Sequence, residues 1–394
     1  MVGRTDRRME GDGIQGGVKK MKKLGFGCMR LPLLDKDDSK SIDIGQFKKM
    51  VDTFLERGFT YFDTAYMYHG YQSEIAVREA LVKRHPRDSY TVTTKLPTMM
   101  LKSAEDMERI FNEQLEKTGL EYFDYYWLHN INRSDIAQAD GFDAWKFVIE
   151  KKAQGKVKHI GFSFHDMPDM LDDILTKHPE MEFVQLQLNY LDWDAENVRS
   201  RENYEVCVKH GKKVVVMEPV KGGTLANVPE DAEKLFKEIR PDRSVPSWGI
   251  RFAASLENVF MVLSGMSNYE QLLDNTSYMG SFEPLNGKER EAVRKAVDII
   301  HSAITVNCTG CGYCTEGCPK HIPIPEYFRL YNGFKQLGGG WTAPQVKEYA
   351  EISSRPGVGK ADDCIRCGRC EKTCPQHLMV RWLLPKVADE LDVL

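Results

Sequence analysis

Two short apolar segments enclose an amphipathic one in the middle of the chain: FDYYWLH at residues 123–129, GFDAWKFVIEKKAQ at 141–154 and VKHIGFS at 157–163. Aromatic and β-branched residues dominate the outer segments, as is typical of buried strands. The middle segment is amphipathic, and Gly155 follows it where a helix commonly ends. The stretch therefore predicts one strand–helix–strand unit.

The same alternation continues in both directions. Further strands are predicted at 24–28, 60–63, 90–95, 183–189, 213–217 and 259–263. Further helices are predicted at 44–57, 73–84, 104–118, 167–177, 197–210, 230–239 and 269–278, and a ninth at 287–303. Eight strands in strict alternation over about 250 residues favour a (β/α)8 TIM barrel, an α/β fold, over an open doubly wound sheet. No G-x-G-x-x-G motif follows an early strand, which disfavours a Rossmann fold.

A second pattern lies near the C-terminus, where the spacing C-x2-C-x2-C-x3-C-P occurs twice. Bacterial ferredoxins use this run to hold [4Fe–4S] cubes, and in two-cluster ferredoxins the fourth cysteine ligates the other cluster. Paired zinc sites and disulfides are the alternatives. We predict two [4Fe–4S] clusters, one held by Cys308, Cys311, Cys314 and Cys374, the other by Cys318, Cys364, Cys367 and Cys370.

These patterns divide the chain into three parts. We expect a loose N-terminal arm at 1–22, the barrel at 23–285, and a helical linker with a C-terminal α-helical ferredoxin-like [4Fe–4S] domain at 286–394. Between the two cysteine runs we expect one or two helices and a loop that holds the glycines at 338–340. Because this part has few apolar residues, its folding is expected to depend on the clusters.

Composition narrows the classes of protein that the chain can represent. Of its 394 residues, 42% are hydrophobic and 28% are charged, and the net charge of −4 gives no reason to expect a nucleic-acid partner. No apolar stretch reaches about 18 residues, so no membrane span is expected. The N-terminus lacks the apolar region of a signal peptide. Thiolate ligands require a reducing compartment, so we expect the cytoplasm.

Four polar residues fall at the ends of three consecutive predicted strands, where barrel enzymes carry their chemistry: Asp63, Tyr68, Lys95 and His129. Reduction of a carbonyl by hydride leaves negative charge on oxygen, which a nearby acid must protonate. Taken singly, each residue has a structural alternative, such as a helix cap for Asp63 or a surface position for Lys95. Their joint placement favours an active site.

The segment YFDTAY at 61–66, with Tyr68, Thr94-Lys95 and Trp127-Leu128-His129, resembles the signature of aldo–keto reductases. With the cysteine runs added, the whole chain is similar to bacterial and archaeal proteins of this family that carry a C-terminal dicluster ferredoxin domain. The resemblance implies an oxidoreductase that reduces a carbonyl or related unsaturated small molecule. It assigns Tyr68 as the acid, Lys95 as the group that tunes its pKa, Asp63 as the orienter of Lys95, and His129 as the residue that positions the substrate oxygen.

The resemblance also implies a nicotinamide cofactor, NADP(H) or NAD(H), across the barrel mouth. The cofactor-binding positions that it implies are Ser163, Gln185, Met217, Gly265, Ser267, Gln271 and Asn275. Cys28, at the end of the first predicted strand, is expected to face the mouth and contact the cofactor as well. Met217 stands where many relatives place an aromatic ring, and Gln271 stands where NADPH-preferring relatives carry Arg. These departures leave the nicotinamide preference open, with flavin (FMN) as an alternative occupant.

Electron counting separates the functional hypotheses. A nicotinamide gives two electrons as one hydride, whereas a [4Fe–4S] cluster accepts one electron at a time, so a flavin or a partner protein must join the two. Three arrangements are open: clusters that only stabilise the domain or sense the redox state, a flavin in the barrel mouth that collects single electrons from the clusters, or a flavoprotein redox partner at the ferredoxin domain. Of these, we expect clusters that transfer electrons. The rival hypotheses are a flavin-containing iron–sulfur electron-transfer protein without nicotinamide-dependent carbonyl reduction, and a redox-sensing regulatory protein. The substrate and the oligomeric state are left open.

Overall fold

The fold is a closed barrel followed by a small helical domain. The computed structural model describes residues 21–36, 38–336 and 343–393. Eight parallel strands pair in sequence order, and the last pairs with the first. The strands are β1 (Leu24–Gly27), β2 (Tyr61–Asp63), β3 (Thr91–Pro97), β4 (Phe123–Ile131), β5 (Val157–Phe164), β6 (Phe183–Gln187), β7 (Lys213–Met217) and β8 (Val259–Gly265). The predicted TIM barrel is confirmed.

Helices surround the barrel and then form the C-terminal domain. The first twelve are α1 (Ile44–Glu56), α2 (Tyr68–Tyr71), α3 (Ser73–Val77), α4 (Glu105–Thr118), α5 (Ile136–Gly141), α6 (Ala144–Ala153), α7 (Pro168–Lys177), α8 (Ser200–Lys209), α9 (Glu230–Ile239), α10 (Val245–Ala254), α11 (Tyr269–Met279) and α12 (Gly287–Ala303). The C-terminal domain adds α13 (Tyr313–Glu316), α14 (Ile324–Gln336), α15 (Pro344–Ser353), α16 (Arg369–Lys372) and α17 (Val380–Leu391).

Several helical segments differ from the sequence-based prediction. The helix predicted at 141–154 begins only at Ala144, as α6, because Asp143 before it has a left-handed backbone with φ of 58°. The short helix α5 that precedes it was not predicted. The helix predicted at 73–84 is α-helical only over α3 and continues as a π-helical turn at Arg78–Val82. Helix α10 was not predicted. It buries residues on every side, Trp248 and Arg251 among them, so it lacks the polar face on which an amphipathic pattern depends.

The barrel interior is filled by large side chains. Tyr61, Tyr125, Trp127 and Phe183 form its centre with smaller apolar neighbours. Gly161 on β5 leaves room for them, since a Cβ there would lie 2.3 Å from the carbonyl oxygen of Phe183 and 2.8 Å from the Trp127 ring. The lower barrel is thus a packed core, and a cavity opens toward the carboxyl ends of the strands.

The C-terminal domain has an apolar core of its own, formed by α14, α15 and α17 around Tyr327, Phe328, Tyr349 and Leu384. The expectation that this region has few apolar residues to bury is therefore wrong. The apolar positions are spread over three short helices, so no single segment stands out in the sequence. Helix α12 joins the two domains and packs against α9 through Ala292, Ala296 and Ile300.

Some expectations fall on residues that are not described. Of the predicted N-terminal arm, residues 1–20 lie outside the described residues, as do the glycines at 338–340. In the parts of the chain that are described, no helix has the length and apolar character needed to cross a bilayer.

Candidate active site

A cavity with an empty volume of about 1430 Å³ opens at the carboxyl ends of the strands. The structure brings most of the predicted site residues to its wall: Asp63, Tyr68, His129, Ser163, Gln185, Met217, Gly265, Ser267, Gln271 and Asn275. Cys311, Tyr313 and Pro375 of the C-terminal domain complete the same wall. The cavity is therefore built jointly by the barrel and the cysteine-bearing domain.

Tyr68, Lys95 and Asp63 form one hydrogen-bonded group beneath the cavity. The buried Lys95 ammonium donates to Asp63 Oδ1 at 2.6 Å and to the Thr64 carbonyl at 2.8 Å. It also lies 3.4 Å from the Tyr68 hydroxyl. Adjacent strands β2 and β3 bring the first two side chains together, and the loop after β2 carries the tyrosine. The ammonium is thus held by a buried carboxylate and points at the phenol.

Burial raises the pKa of the Tyr68 phenol well above its usual value, and the negative charges of Asp63 and Glu218 raise it further. The positive charge of Lys95 is already paired with Asp63, and the pKa of Tyr68 remains raised despite it. The phenol therefore stays protonated at neutral pH, which a proton donor requires. The resemblance implies that Lys95 lowers the pKa of Tyr68, but burial has the larger effect on that pKa here.

His129 lies opposite Tyr68, with ring centroids 6.0 Å apart in an edge-to-face arrangement. Burial lowers the pKa of its imidazole well below the usual value, and the Lys95 charge and His165 lower it further. Its Nδ1 is buried and has no hydrogen-bond partner among the described residues. A neutral imidazole beside a neutral phenol can hold a substrate oxygen by hydrogen bonds from both sides.

Two side chains on β5 and β6 could hold the amide of a cofactor ring. Ser163 Oγ accepts from the Asn130 backbone N–H at 2.8 Å, which leaves its hydroxyl hydrogen for a ligand. Gln185 Oε1 is buried without a partner among the described residues, although the side chain lines the cavity. A buried acceptor of this kind needs a donor, and the NH₂ group of a carboxamide supplies one.

The residues after β8 form a polar shelf, and most of their own polar groups are already used. Gln271 Oε1 accepts from the Ser267 backbone N–H at 2.7 Å. Asn275 donates to Ser264 Oγ at 2.8 Å and accepts from Tyr278 at 2.6 Å. The Ser267 hydroxyl also donates to the Arg30 carbonyl at 3.0 Å, and together these contacts fix the shape of the shelf.

Cys28 is not at the cavity. Its thiol is fully buried among core residues and lies 3.7 Å from the Phe26 carbonyl, and burial raises its pKa far above the usual value. The residues after β1 form the short 3-10 turn Cys28–Arg30, which brings Met29 and Arg30 to the cavity wall instead. The expectation that Cys28 faces the mouth assumed that the strand continues to this position.

Glu218 and Tyr313 were not identified as site residues from the sequence. Glu218 follows Met217 on β7, has a left-handed backbone with φ of 54°, and carries a buried Oε2 without a partner among the described residues. Burial raises the pKa of its carboxyl to about 7, although Lys221 and Arg30 oppose this. Tyr313 lies inside the first cysteine run, so only docking of the domains could reveal that it lines the cavity.

The eight cysteines of the two runs form two rings of thiols. One cavity is lined by Cys308, Cys311, Cys314 and Cys374, and a second by Cys318, Cys364, Cys367 and Cys370. The structure thus brings together the two sets that the sequence predicts, three thiols from one loop and the fourth from the other run. Their role as ligands stays a prediction.

The donor chemistry of these rings suits iron–sulfur cubes. All ten cysteines lie in the described part of the chain and are free thiols, so the disulfide alternative is not realised. No three His, Cys, Asp or Glu side chains of the described residues converge closely enough for a single metal ion. Three thiols from one tight loop and a fourth from the other run match the ligand pattern of a four-iron cube better than that of a tetrahedral zinc ion.

A buried polar network fixes the C-terminal domain over the barrel mouth. The fully buried Lys221 ammonium binds Asp192 Oδ1 at 2.5 Å and Gln376 Oε1 at 2.9 Å. Gln376 also exchanges amide hydrogen bonds with Gln187 at 2.7 and 3.0 Å. Because Gln376 follows Cys374 by two residues, this network holds the first thiol ring directly against the barrel.

Backbone packing reinforces the same junction. Gly222 has φ of 65°, and a Cβ there would lie 2.0 Å from the Thr309 carbonyl oxygen in the first cysteine loop. Arg30 Nη2 donates to that same carbonyl at 3.3 Å. The loop that carries Cys308 and Cys311 is therefore in direct contact with the wall of the active-site cavity.

Comparison with known proteins agrees with this architecture. The family model described as "Aldo/keto reductase family" matches residues 23–298, and that of the "4Fe-4S dicluster domain" matches residues 307–379. A probable aldo-keto reductase from Glycine max is 29% identical over 232 residues, which cover 54% of this chain and 61% of that protein's length. An uncharacterized oxidoreductase of Bacillus subtilis is 24% identical over 285 residues, covering 65% of this chain and 86% of the relative.

Solved structures with the same barrel include the holo form of an aldo-keto reductase from Bacillus halodurans. It superposes with a TM-score of 0.56 at 25% identity and covers 70% of this chain and 91% of its own. An aldo/keto reductase from Klebsiella pneumoniae in complex with NADP and acetate has a TM-score of 0.56 at 18% identity, with coverage of 70% and 91%. The latter likeness concerns the fold alone.

Proposed function

This chain belongs to the aldo/keto reductase family and carries a 4Fe-4S dicluster domain, and from that premise we propose that its barrel reduces a small carbonyl or related unsaturated compound with iron–sulfur groups beside the active site. The division into a barrel at 23–285 and a cluster-binding region at 286–394 is part of this proposal. One observation carries it above all others: Cys311 and Tyr68 line the same cavity.

The side chains around Tyr68 define the proposed chemistry. The phenol donates its proton to the substrate oxygen, and the Lys95 ammonium at 3.4 Å stabilises the negative charge that remains on Tyr68. His129 donates a hydrogen bond to the same oxygen and orients it. Asp63 keeps the ammonium in place through the 2.6 Å contact. When bound, a reduced nicotinamide or flavin supplies hydride, and [4Fe–4S] clusters supply single electrons.

The residues that would hold these groups follow from the cavity walls. Ser163 and the unpartnered Gln185 Oε1 would bind the amide edge of a cofactor ring, and the shelf after β8 would bind its remote end. The ring that contains Cys311 would hold one cluster and the ring that contains Cys367 the other. The two metal sites are thereby distinguished by position, because the first adjoins the active-site cavity and the second lies farther out.

We further propose that single electrons reach the clusters from an acidic one-electron carrier protein that docks at the second ring, and that a flavin in the cavity would collect two of them before hydride is delivered. Cys367 is exposed, and Ile365 and Trp382 nearby in the domain are 58% and 55% exposed. Arg366 and Arg369 flank Cys367 in sequence and are exposed as well. Apolar groups within a basic surface suit a partner of complementary charge, whose association rate falls with added salt.

The test begins with protein purified without oxygen. Iron and sulfide analysis should give two [4Fe–4S] clusters, and a panel of aldehydes and ketones should reveal a substrate that oxidises NADPH. Tyr68→Phe removes the proton donor and keeps the ring, so turnover should fall by about 10²- to 10⁴-fold. NADPH binding, followed by fluorescence, should be unchanged. Full activity of Tyr68→Phe on a good carbonyl substrate would refute the assigned acid.

The thiol beside the cavity also favours a second candidate function, a flavin-containing iron–sulfur electron-transfer protein. Met217 offers no ring face for nicotinamide, and Tyr313 supplies an aromatic side chain at the same cavity. Extraction of the cofactor separates the two candidates. Released flavin, together with no oxidation of NADPH by any carbonyl substrate, would favour the electron-transfer protein.

A further inference from the structure

The segment that carries the proposed acid has an unusual backbone. Tyr68 begins the short turn α2, and the three residues after it, His69, Gly70 and Tyr71, have left-handed backbones with φ of 53°, 55° and 73°. Residues other than glycine are strained in this region, so two of these three positions are held against their local preference. The contacts that hold this turn therefore also fix the loop on which the phenol sits.

The imidazole of His69 provides two of these contacts, both to the loop that follows β1. The Leu31 backbone N–H donates to Nε2 at 3.1 Å, and Nδ1 lies 2.7 Å from the Ser39 carbonyl oxygen. A backbone N–H can only donate and a carbonyl can only accept, so Nδ1 carries the hydrogen and Nε2 has a free lone pair. This pair of contacts is an imidazole bridge between the two loops, and it requires a neutral ring in this one tautomer.

The loop at the other end of the imidazole bridge is itself held by backbone hydrogen bonds. The Leu34 N–H donates to the Ser41 carbonyl at 2.7 Å, and the Asp43 N–H donates to the Pro32 carbonyl at 2.8 Å. Arg30, near the start of this loop, lines the active-site cavity. The bridge therefore ties the turn that carries the phenol to a hydrogen-bonded part of the cavity wall.

Tyr68 has few close contacts of its own. Its hydroxyl lies 3.4 Å from the Lys95 ammonium, which is long for a hydrogen bond, and its backbone N–H donates to the Ala65 carbonyl at 3.2 Å. The position of the hydroxyl therefore depends on the loop that carries it. At a reacting group, a displacement of about 1 Å can lower the rate by about 100-fold.

We propose that His69 is a positioning residue, which holds the Tyr68 turn against the loop after β1 and so sets the distance between the phenol and the substrate oxygen. His69 does not line the active-site cavity, so it acts through Tyr68. Burial lowers the pKa of its imidazole below the usual value, although the Ser39 bond opposes this, and the ring is neutral at neutral pH, as the bridge requires. The inference rests on the proposed carbonyl reduction.

Turnover of three variants measures the contribution of the bridge. In His69→Ala, kcat for a carbonyl substrate should fall by about 100-fold, while the affinity for NADPH should be unchanged. His69→Gln keeps one acceptor and one donor on a flat amide and should restore most of the turnover. His85→Ala is the matched control, because that imidazole is also hydrogen-bonded, to Asp52 at 2.8 Å, but does not line the cavity, and its kcat should equal that of the unaltered protein.

A loss that arises from misplacement of the phenol should vanish when the phenol is absent. In Tyr68→Phe, the addition of His69→Ala should therefore lower the residual turnover no further. A general loosening of the barrel would lower turnover in both backgrounds. An equal further loss in Tyr68→Phe, or full turnover in His69→Ala, would overturn the positioning role and leave the proposed carbonyl reduction intact.

The tautomer can be measured on the unaltered protein, whether or not His69→Ala folds. Nitrogen NMR of protein with isotopically labelled histidine should show a protonated Nδ1 and an unprotonated Nε2 for the ring whose signals are missing in His69→Gln. A protonated Nε2 would overturn the imidazole bridge. Absence of any carbonyl reduction by the unaltered protein would instead refute the proposed function, and the positioning role with it.

Discussion

Replacement of Lys221 by Met should loosen the C-terminal domain from the barrel. The Lys221 side chain is fully buried, and its ammonium contacts both Asp192 and Gln376. Loss of one partner from a buried ion pair costs about 3–5 kcal/mol. Asp192 would keep its hydrogen bonds from Gln187 at 2.8 Å and Asn189 at 2.7 Å, which places the expected loss near the lower bound, at about 3 kcal/mol.

Urea unfolding of cluster-loaded protein without oxygen, followed by near-ultraviolet circular dichroism, measures this loss. Lys234→Met is the matched control, because Lys234 pairs with Glu230 on the surface, where the side chains are 59% and 81% exposed. Such an exposed pair contributes at most about 1 kcal/mol. Adding Asp192→Asn to Lys221→Met should recover part of the loss, since the unpaired charge is then removed. Equal destabilisation by the two single lysine variants would show that the buried contacts of Lys221 do not hold the domain on the barrel.

Three further predictions concern buried groups. Burial raises the pKa of the Glu74 carboxyl from 4.5 to about 7, so the folded state binds a proton more tightly than the unfolded state. The free energy of unfolding should therefore fall by about 3 kcal/mol as the pH rises from about 4.5 to 7. Urea midpoints should show this fall in the parent and not in Glu74→Gln. Gly161→Ala should cost about 3 kcal/mol through overpacking, while Gly141→Ala, with open space around it, should cost little. Cys311→Ser should lower the iron content, whereas Cys28→Ser, in the barrel core, should leave it unchanged; equal iron in both variants would contradict the assigned thiol ring.

The elements that local patterns define were predictable. The observed bounds of β7, α9 and α12 coincide with those predicted, because each has a continuous apolar period and a clear end. Helix α10 was not predictable, because a helix buried on all sides has no polar face and its sequence therefore shows no 3.6-residue hydrophobic period. Cys28 was placed at the mouth because the turn that ends β1 leaves no mark in the sequence.

Part of the candidate site was likewise predictable from the sequence, and part was not. Asp63, Tyr68, Lys95 and His129 follow from the rule that barrel chemistry lies at strand ends, and the grouping of the thiols follows from the reach of one loop. Tyr313 could not be identified by these rules. Its place at the cavity depends on the docking of the two domains, through contacts such as that between Lys221 and Gln376, which are 155 residues apart.

We propose that one iron–sulfur site adjoins the cavity that Tyr68 lines, and electron paramagnetic resonance can detect this proximity. Spectra of dithionite-reduced protein should be recorded with and without NADPH, which would fill the cavity beside Cys311 without accepting electrons. We expect signals from two [4Fe–4S] clusters, of which one shifts when NADPH binds and the other does not. Protein that contains zinc instead of iron, or two cluster signals that bound NADPH leaves unchanged, would contradict it.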